Sequence, residues 1–319
     1  MASLPLVTVI GAGQVGATTA HLIALKQLAH VTLIDVVEGL AQGKALDMSQ
    51  SAPVEGFGVS VRGTTDYSAM AGSHVVVVTA GLARKPGMSR DDLLIANANI
   101  VGPIAERIAQ YAPESIVIVV TNPLDIMVAL TLQRSGFPRQ RVVGMAGVLD
   151  SARLRAFVAM RLGVSPTEVQ AVVLGSHGDL MVPIRQSITV NGEPLTRRLS
   201  SAELERILQR TKDGGAEIVA LLKQGSAFYA PASSVVAMVR AILQDTHEIL
   251  PVCAWLDGEY GLRDVCLGVP AQLGAKGCER VVDVALATDE RAALEACAAQ
   301  VRLGIEQVNR LLTGSATHS

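Results

Sequence analysis

The sequence predicts an α/β fold: a doubly wound parallel sheet over residues 1–146, then a mixed α+β part over 147–319. Three observations predict it. Short β-branched apolar runs alternate with longer segments of helical period up to about residue 146, as in strand–helix–strand units. A glycine-rich turn follows the first run without a gap. Past residue 177 the alternation gives way to hairpin signals and long helical segments.

Taken in order, strands are expected at 4–10, 31–34, 59–61, 75–79, 116–120 and 142–145, the six that a doubly wound dinucleotide fold uses. Their unbroken apolar character predicts burial on both faces. After the first strand stands Gly11-Ala12-Gly13-Gln14-Val15-Gly16, with a helix expected over 17–27. Gly11 permits the tight turn, Gly13 lets the backbone approach a pyrophosphate, and Gly16 lets helix and strand pack closely, while the helix N-terminus faces the anion. Alone, such a spacing is as often an ordinary glycine-rich turn. Its place between strand and helix makes it the dinucleotide-binding pattern of a Rossmann domain, and Asp35 ends the second strand where ribose hydroxyls would lie. Val36-Val37-Glu38 offers no arginine for a 2′-phosphate, so NAD is the expected cofactor rather than NADP.

The carboxyl ends of such strands face the ligand, and the remaining signals cluster there. Thr79-Ala80-Gly81 leads into Leu82-Ala83-Arg84-Lys85-Pro86-Gly87-Met88-Ser89-Arg90, a cationic loop bracketed by glycines, before a helix expected near Asp91. It reads as a lid closing over an anion and excluding water, or as a solvated basic loop. Thr121-Asn122-Pro123 follows the fifth strand, and Asn-Pro by itself is a turn signal. Val148-Leu149-Asp150-Ser151-Ala152-Arg153-Leu154 opens a helix whose first turn can present Asp150 and Arg153 on one face, or use them as an N-cap and its surface partner. Gly175-Ser176-His177-Gly178-Asp179 follows the strand-like run 169–174. A loop histidine is more often structural than catalytic. Here Asp150 is available to hold one ring nitrogen, leaving the other to exchange a proton with a substrate oxygen.

Gly-Ala-Gly-Gln-Val-Gly, Arg-Lys-Pro-Gly-Met-Ser-Arg, Thr-Asn-Pro, Val-Leu-Asp-Ser-Ala-Arg and Gly-Ser-His-Gly-Asp stand in that order. On these motifs the chain, from about residue 4 to 312, resembles the lactate/malate dehydrogenase family, and within it the lactate-dehydrogenase-like malate dehydrogenases. The resemblance implies reversible NAD-dependent oxidation of (S)-malate to oxaloacetate. It implies His177 as proton donor and acceptor, Asp150 as its orienting partner, and Arg153 as the clamp on the C1 carboxylate. It implies Arg90 polarising the carbonyl from the closed lid and Asn122 bonding the substrate oxygen. The expected cofactor-binding set is Gly11, Ala12, Gly13, Gln14, Val15, Gly16, Asp35, Thr79, Ala80, Gly81, Asn97, Val120 and Asn122. Arg84 stands where lactate dehydrogenases usually carry glutamine. An unpaired charge in a closed site costs about 3–5 kcal/mol, so a guanidinium for the second carboxylate favours oxaloacetate over pyruvate by on the order of 10² to 10³. Ala83 replaces a common proline and Leu154 a common phenylalanine, changes that affect the loop and packing rather than the chemistry.

The nearer alternative is an L-lactate or broad 2-hydroxy-acid dehydrogenase, against which Arg84 argues; the distant one is a noncatalytic nucleotide-binding redox sensor, which has no need of Asp150, Arg153 and His177 together. In the second part a hairpin is expected over 183–195 around Asn191-Gly192, helices over 200–223, 232–244 and 288–312, and strands over 249–255 and 281–286. By resemblance, 224–231, with Ser226 and Ala227, reaches the substrate pocket. The apolar faces 218–222 and 235–239 belong to core or interface, and resemblance suggests a homodimer or homotetramer. Cys253, Cys266, Cys278 and Cys297 lack metal-ligand spacing and read as buried thiols, with no metal expected. A net charge of −2 and 3% aromatics argue against nucleic acid. The apolar runs are strand-length, against ~20 residues for a membrane span, and residues 1–10 lack a basic leader, so a cytoplasmic setting is expected.

Overall fold

The computed structural model describes residues 4–82 and 88–314. The first part runs β1 (Leu6–Ile10), α1 (Gln14–Leu25), β2 (His30–Ile34), α2 (Leu40–Glu55), β3 (Val61–Thr64), β4 (Val75–Val78), α3 (Arg90–Tyr111), β5 (Ile116–Val119), α4 (Leu124–Ser135) and β6 (Val142–Gly144). All six strands pair in parallel in the order β3-β2-β1-β4-β5-β6. The strand order reverses its direction of winding between β1 and β4, and the crevice outside their carboxyl ends is where such sheets bind ligands. β4 and β5 are buried along their whole length, with alternate side chains feeding the cores on the two faces.

The third strand departs from expectation. It lies at Val61–Thr64 and not at 59–61, pairing with β2 from Val31↔Val61 to Ile34↔Thr64. Val59 is buried in the core ahead of the ladder, which is why it reads as strand. Nor is this edge strand wholly apolar: a Cβ on Gly63 would fall 2.1 Å from the Ala41 carbonyl oxygen, so α2 presses its backbone onto β3 where a side chain cannot fit. The helix expected at 17–27 starts earlier, at Gln14 inside the glycine turn.

The second part runs α5 (Gly147–Leu162), β7 (Val169–Gln170), β8 (Val173–Gly175), β9 (Met181–Pro183), β10 (Thr189–Val190), β11 (Glu193–Pro194), α6 (Ser201–Leu222), α7 (Tyr229–Leu243), β12 (Glu248–Asp257), β13 (Arg263–Gly274), β14 (Gly277–Val281) and α8 (Thr288–Gly314). β6 pairs antiparallel with β12 at Gly144↔Cys253, and β13, β8 and β9 extend the sheet, which with β14 reaches 11 strands. The Asn191-Gly192 turn joins β10 to β11 with both residues at positive φ, as a type I′ turn requires.

Three expectations are corrected. The run 169–174 divides into β7 and β8, which enter different sheets. The long β13 carries no strand signal in the sequence, because Gly268, Pro270 and Gln272 interrupt its apolar pattern. A Cβ on Gly268 would lie 2.5 Å from the Gly175 carbonyl oxygen, so close strand approach dictates that interruption. The strand expected at 281–286 is β14 at Gly277–Val281; beyond it Val284 donates its N–H to the Tyr260 hydroxyl, while Val284 and Leu286 pack on the core without a ladder. Val235, Val236, Met238 and Val239 are core, whereas Val219, Leu221 and Leu222 are exposed. All four cysteines are buried and free, and burial pushes the Cys278 thiol up to about 11. No helix among the described residues is long and apolar enough to cross a membrane.

Candidate active site

The glycine turn is built as its spacing demands. Gly11 has φ +103°, and a Cβ there would sit 2.7 Å from the Ala80 nitrogen. A Cβ on Gly16 would fall 1.8 Å from the Gly11 carbonyl oxygen, so α1 lies directly against the turn. At Gly13 a Cβ meets nothing within 4 Å, and no side chain caps the helix there. The first N–H groups of α1 therefore face open space, which suits an anion. Asp35 is fixed by accepting the Ala12 N–H (2.6 Å) and the Val37 N–H (3.0 Å). Lys44, which no motif marks, braces the same turn by donating to the Ala12 carbonyl at 2.7 Å.

A cavity of about 480 Å³ runs from this turn to the histidine loop. Gly13, Gln14, Val15, Gly16, Thr79, Gly81, Val120 and Asn122 line it, as do Arg153 and His177. Gly11, Ala12, Ala80 and Asp35 stand behind that lining, as support for the turn. Asn97 is fully buried, and its amide accepts the Leu82 N–H (2.7 Å) and donates to the carbonyls of Leu82 (3.1 Å) and Asn122 (2.6 Å). It acts as a brace between two ligand-facing turns and does not face the cavity. The Asn122–Pro123 bond is cis.

The three chemistry-bearing residues meet at the other end. His177 Nδ1 lies 2.9 Å from Asp150 Oδ2, and Arg153 Nη1 lies 3.4 Å from Asp150 Oδ1. Asp150 is buried in the first turn of α5, and His177 reaches it from the loop after β8. Burial disfavours the charged imidazole, but the Asp150 carboxylate outweighs it by charge and hydrogen bond, so His177 holds a proton above the usual histidine range. Arg153 is held lower by burial, with Asp150 opposing. Its Nε is buried with no hydrogen-bond partner, and room for the guanidinium comes from α6: a Cβ on Gly214 would stand 3.3 Å from Arg153 Cδ. A buried cation with an unmet donor at a cavity wall is set to receive an anion.

Arg90 does not join this group. It sits exposed at the start of α3, paired to Asp179 at 2.8 Å, outside the cavity. Arg84 falls in 83–87, outside the described residues. Lys212, Gly215, Ser226 and Ala227 also line the cavity. Of these, Lys212 and the paired glycines of α6 had no readable signal, since their relevance depends on which helix packs over α5. The open cradle at Gly13, the anchored Asp35 and the free end of α1 fit a dinucleotide: the α1 N-terminus would hold its phosphates and Asp35 its ribose hydroxyls.

Residues 6–144 match the family description "lactate/malate dehydrogenase, NAD binding domain", and residues 147–311 match "lactate/malate dehydrogenase, alpha/beta C-terminal domain". The chain is 51% identical over 310 residues to the malate dehydrogenase of Nostoc punctiforme, covering 97% of this chain and 95% of that one. Its fold is similar to the malate dehydrogenase of Picrophilus torridus in its apo form, with a TM-score of 0.95, 41% identity, and 98% and 99% of the two chains covered. It is also similar to the lactate dehydrogenase of Cryptosporidium parvum complexed with lactic acid and nicotinamide adenine dinucleotide, with a TM-score of 0.94, 37% identity, and 97% and 99% covered.

Proposed function

The chain belongs to the lactate/malate dehydrogenase family, and from that premise we infer that it is an NAD-dependent malate dehydrogenase interconverting (S)-malate and oxaloacetate. The bound dinucleotide supplies the hydride acceptor or donor at its nicotinamide ring. Everything else falls to side chains. Arg153 binds the C1 carboxylate, a role supported by its unmet buried Nε at the cavity wall. His177 passes a proton to the C2 oxygen during reduction and takes it back during oxidation, while Asp150 holds the ring and favours the imidazolium. Asn122, which lines the same cavity, bonds the same oxygen. Arg90 comes over the carbonyl when its exposed pair with Asp179 exchanges for substrate, and such an exposed pair costs only about 0–1 kcal/mol to break. Arg84 grips the distal carboxylate.

The observation that carries this reading is the 2.9 Å His177–Asp150 contact beside Arg153, at the end of a cavity that the glycine turn also lines. His177→Asn tests it. The variant keeps a hydrogen-bonding side chain but exchanges no proton, so kcat for oxaloacetate-dependent NADH oxidation drops by on the order of 10² to 10⁴ with NADH affinity retained. Turnover at the wild-type rate rules the role out.

A homodimer or homotetramer belongs to the same reading, supported by Val54 on α2 at 86% exposed and Leu221 on α6 at 75%. So does a cytoplasmic setting, supported by four buried thiols that remain unpaired.

A further inference from the structure

Asp125 lies behind the site in the first turn of α4, 3% exposed. Its Oδ2 accepts the Ser176 hydroxyl at 2.7 Å and the His177 backbone N–H at 3.2 Å, and its Oδ1 is buried without a hydrogen-bond partner. A carboxylate is rarely kept so deep unless it is paired, and no arginine or lysine pairs with it among the described residues. What it grips is the apex of the histidine loop. That loop needs holding, because Gly175 (φ +83°) and Gly178 (φ +124°) flank Ser176 and His177 with freely turning backbone. Asp150 fixes the ring of His177 and does nothing for its peptide; Asp125 fixes the peptide.

The origin of Asp125 adds a second consequence. It follows Asn122 by three residues, and the Asn122 carbonyl is itself bound by the buried Asn97 amide. One braced turn between β5 and α4 thus carries both an amide that lines the cavity and the anchor of the histidine loop. Through Asp125 that turn links the place of Asn122 to the place of the His177 peptide.

We propose that Asp125 is a positioning residue for the proton exchange: it holds the His177 loop in register with Asn122 through Ser176 and the His177 peptide. This rests on the reading of His177 as the acid and base of a malate dehydrogenase. The groups facing Asp125 are Ser176 and His177 from the loop, Cys253 from β12, with Cys266 of β13 beside it, and Cys297 from α8. Burial raises the Asp125 carboxyl above its ordinary range, with Ser176, the Cys253 thiol and His177 opposing; in its ionised form it adds to the hold of His177 on its proton.

Asp125→Asn and Ser176→Ala in the full-length enzyme test this, with kcat, KM for oxaloacetate, NADH affinity by fluorescence and the pH profile measured for each. For Asp125→Asn, kcat falls by about 10- to 100-fold while KM and NADH affinity stay within about threefold, as for loss of alignment without loss of binding. The alkaline limb of oxaloacetate reduction moves to lower pH, because one anion that favours the imidazolium is gone. A kcat within about twofold of wild type with an unmoved limb overturns the proposal, as does a parallel loss of kcat, NADH affinity and melting temperature. Should Asp125→Asn not fold, Ser176→Ala decides: kcat lowered about threefold or more at unchanged melting temperature supports positioning, and unchanged kcat overturns it. Wild-type protein that fails to oxidise NADH with oxaloacetate refutes the reaction itself, a separate outcome from an active wild type with indifferent variants.

Discussion

His177 is a histidine whose surroundings set the direction of its pH dependence. Burial works against its charge and the Asp150 carboxylate more than restores it, so the folded value lies above the ordinary 6.5. Reduction of oxaloacetate needs the imidazolium. Its kcat/KM is therefore level below the ordinary histidine range and falls only as pH rises through the higher folded value, while malate oxidation climbs over the same interval. The histidine's contribution to stability has the same sign, complete below the unfolded value and lost as pH rises through the folded one. Initial rates in both directions from about pH 5 to about pH 10 check this, and a reduction limb centred below the ordinary histidine value contradicts it. His177, Asp150 and Arg153 are legible in the sequence because each stands in a short motif whose residue types make chemical sense only together. Asp125 and Lys44 are not, because their roles depend on a distant partner: Asp125 meets Ser176 across 51 residues, and Lys44 meets Ala12 across 32. Arg90 is legible as a cation of the loop, but its pairing with Asp179 outside the cavity is a tertiary fact.

Among the elements, the β1–α1 turn is tightly constrained by backbone approach. Gly13 leaves its space to a ligand, whereas Gly16 leaves its own to the Gly11 carbonyl oxygen, 1.8 Å from where a Cβ would be. Gly16→Ala must push helix from strand at backbone level, so a loss of about 1–3 kcal/mol in stability and a weakening of NADH affinity by more than about tenfold are expected, read by thermal melts and fluorescence titration. Unaltered NADH affinity contradicts this view of the turn. Strands β1, β2, β4, β5 and β6 are readable because each is buried on both faces and apolar throughout, or nearly so. β3 is displaced from its apolar run because it is an edge strand under α2, and β13 is hidden because Gly268 must admit the Gly175 backbone and the strand tolerates Pro270. Sequence patterns report burial well and close backbone approach poorly.

For the whole molecule, the expected division at 146/147 falls between β6 and α5 within one continuous sheet, because β12 and β13 pair across it to β6 and β8. The cofactor turn and the histidine loop are thereby carried on one scaffold, which suits a reaction that needs two reactants aligned to within ångströms. The same scaffold leaves Val54 and Leu221 in contact with water, and light scattering on the purified protein is expected to return a mass at least twice the chain's 33.3 kDa. A monomer at micromolar concentration contradicts that assembly. Because Arg153 and Arg84 are proposed to meet the two carboxylates of the substrate, NADH oxidation with oxaloacetate and pyruvate side by side is the sharpest test of the site. A kcat/KM for oxaloacetate higher by at least about 10² is expected, and pyruvate consumed as fast or faster contradicts it.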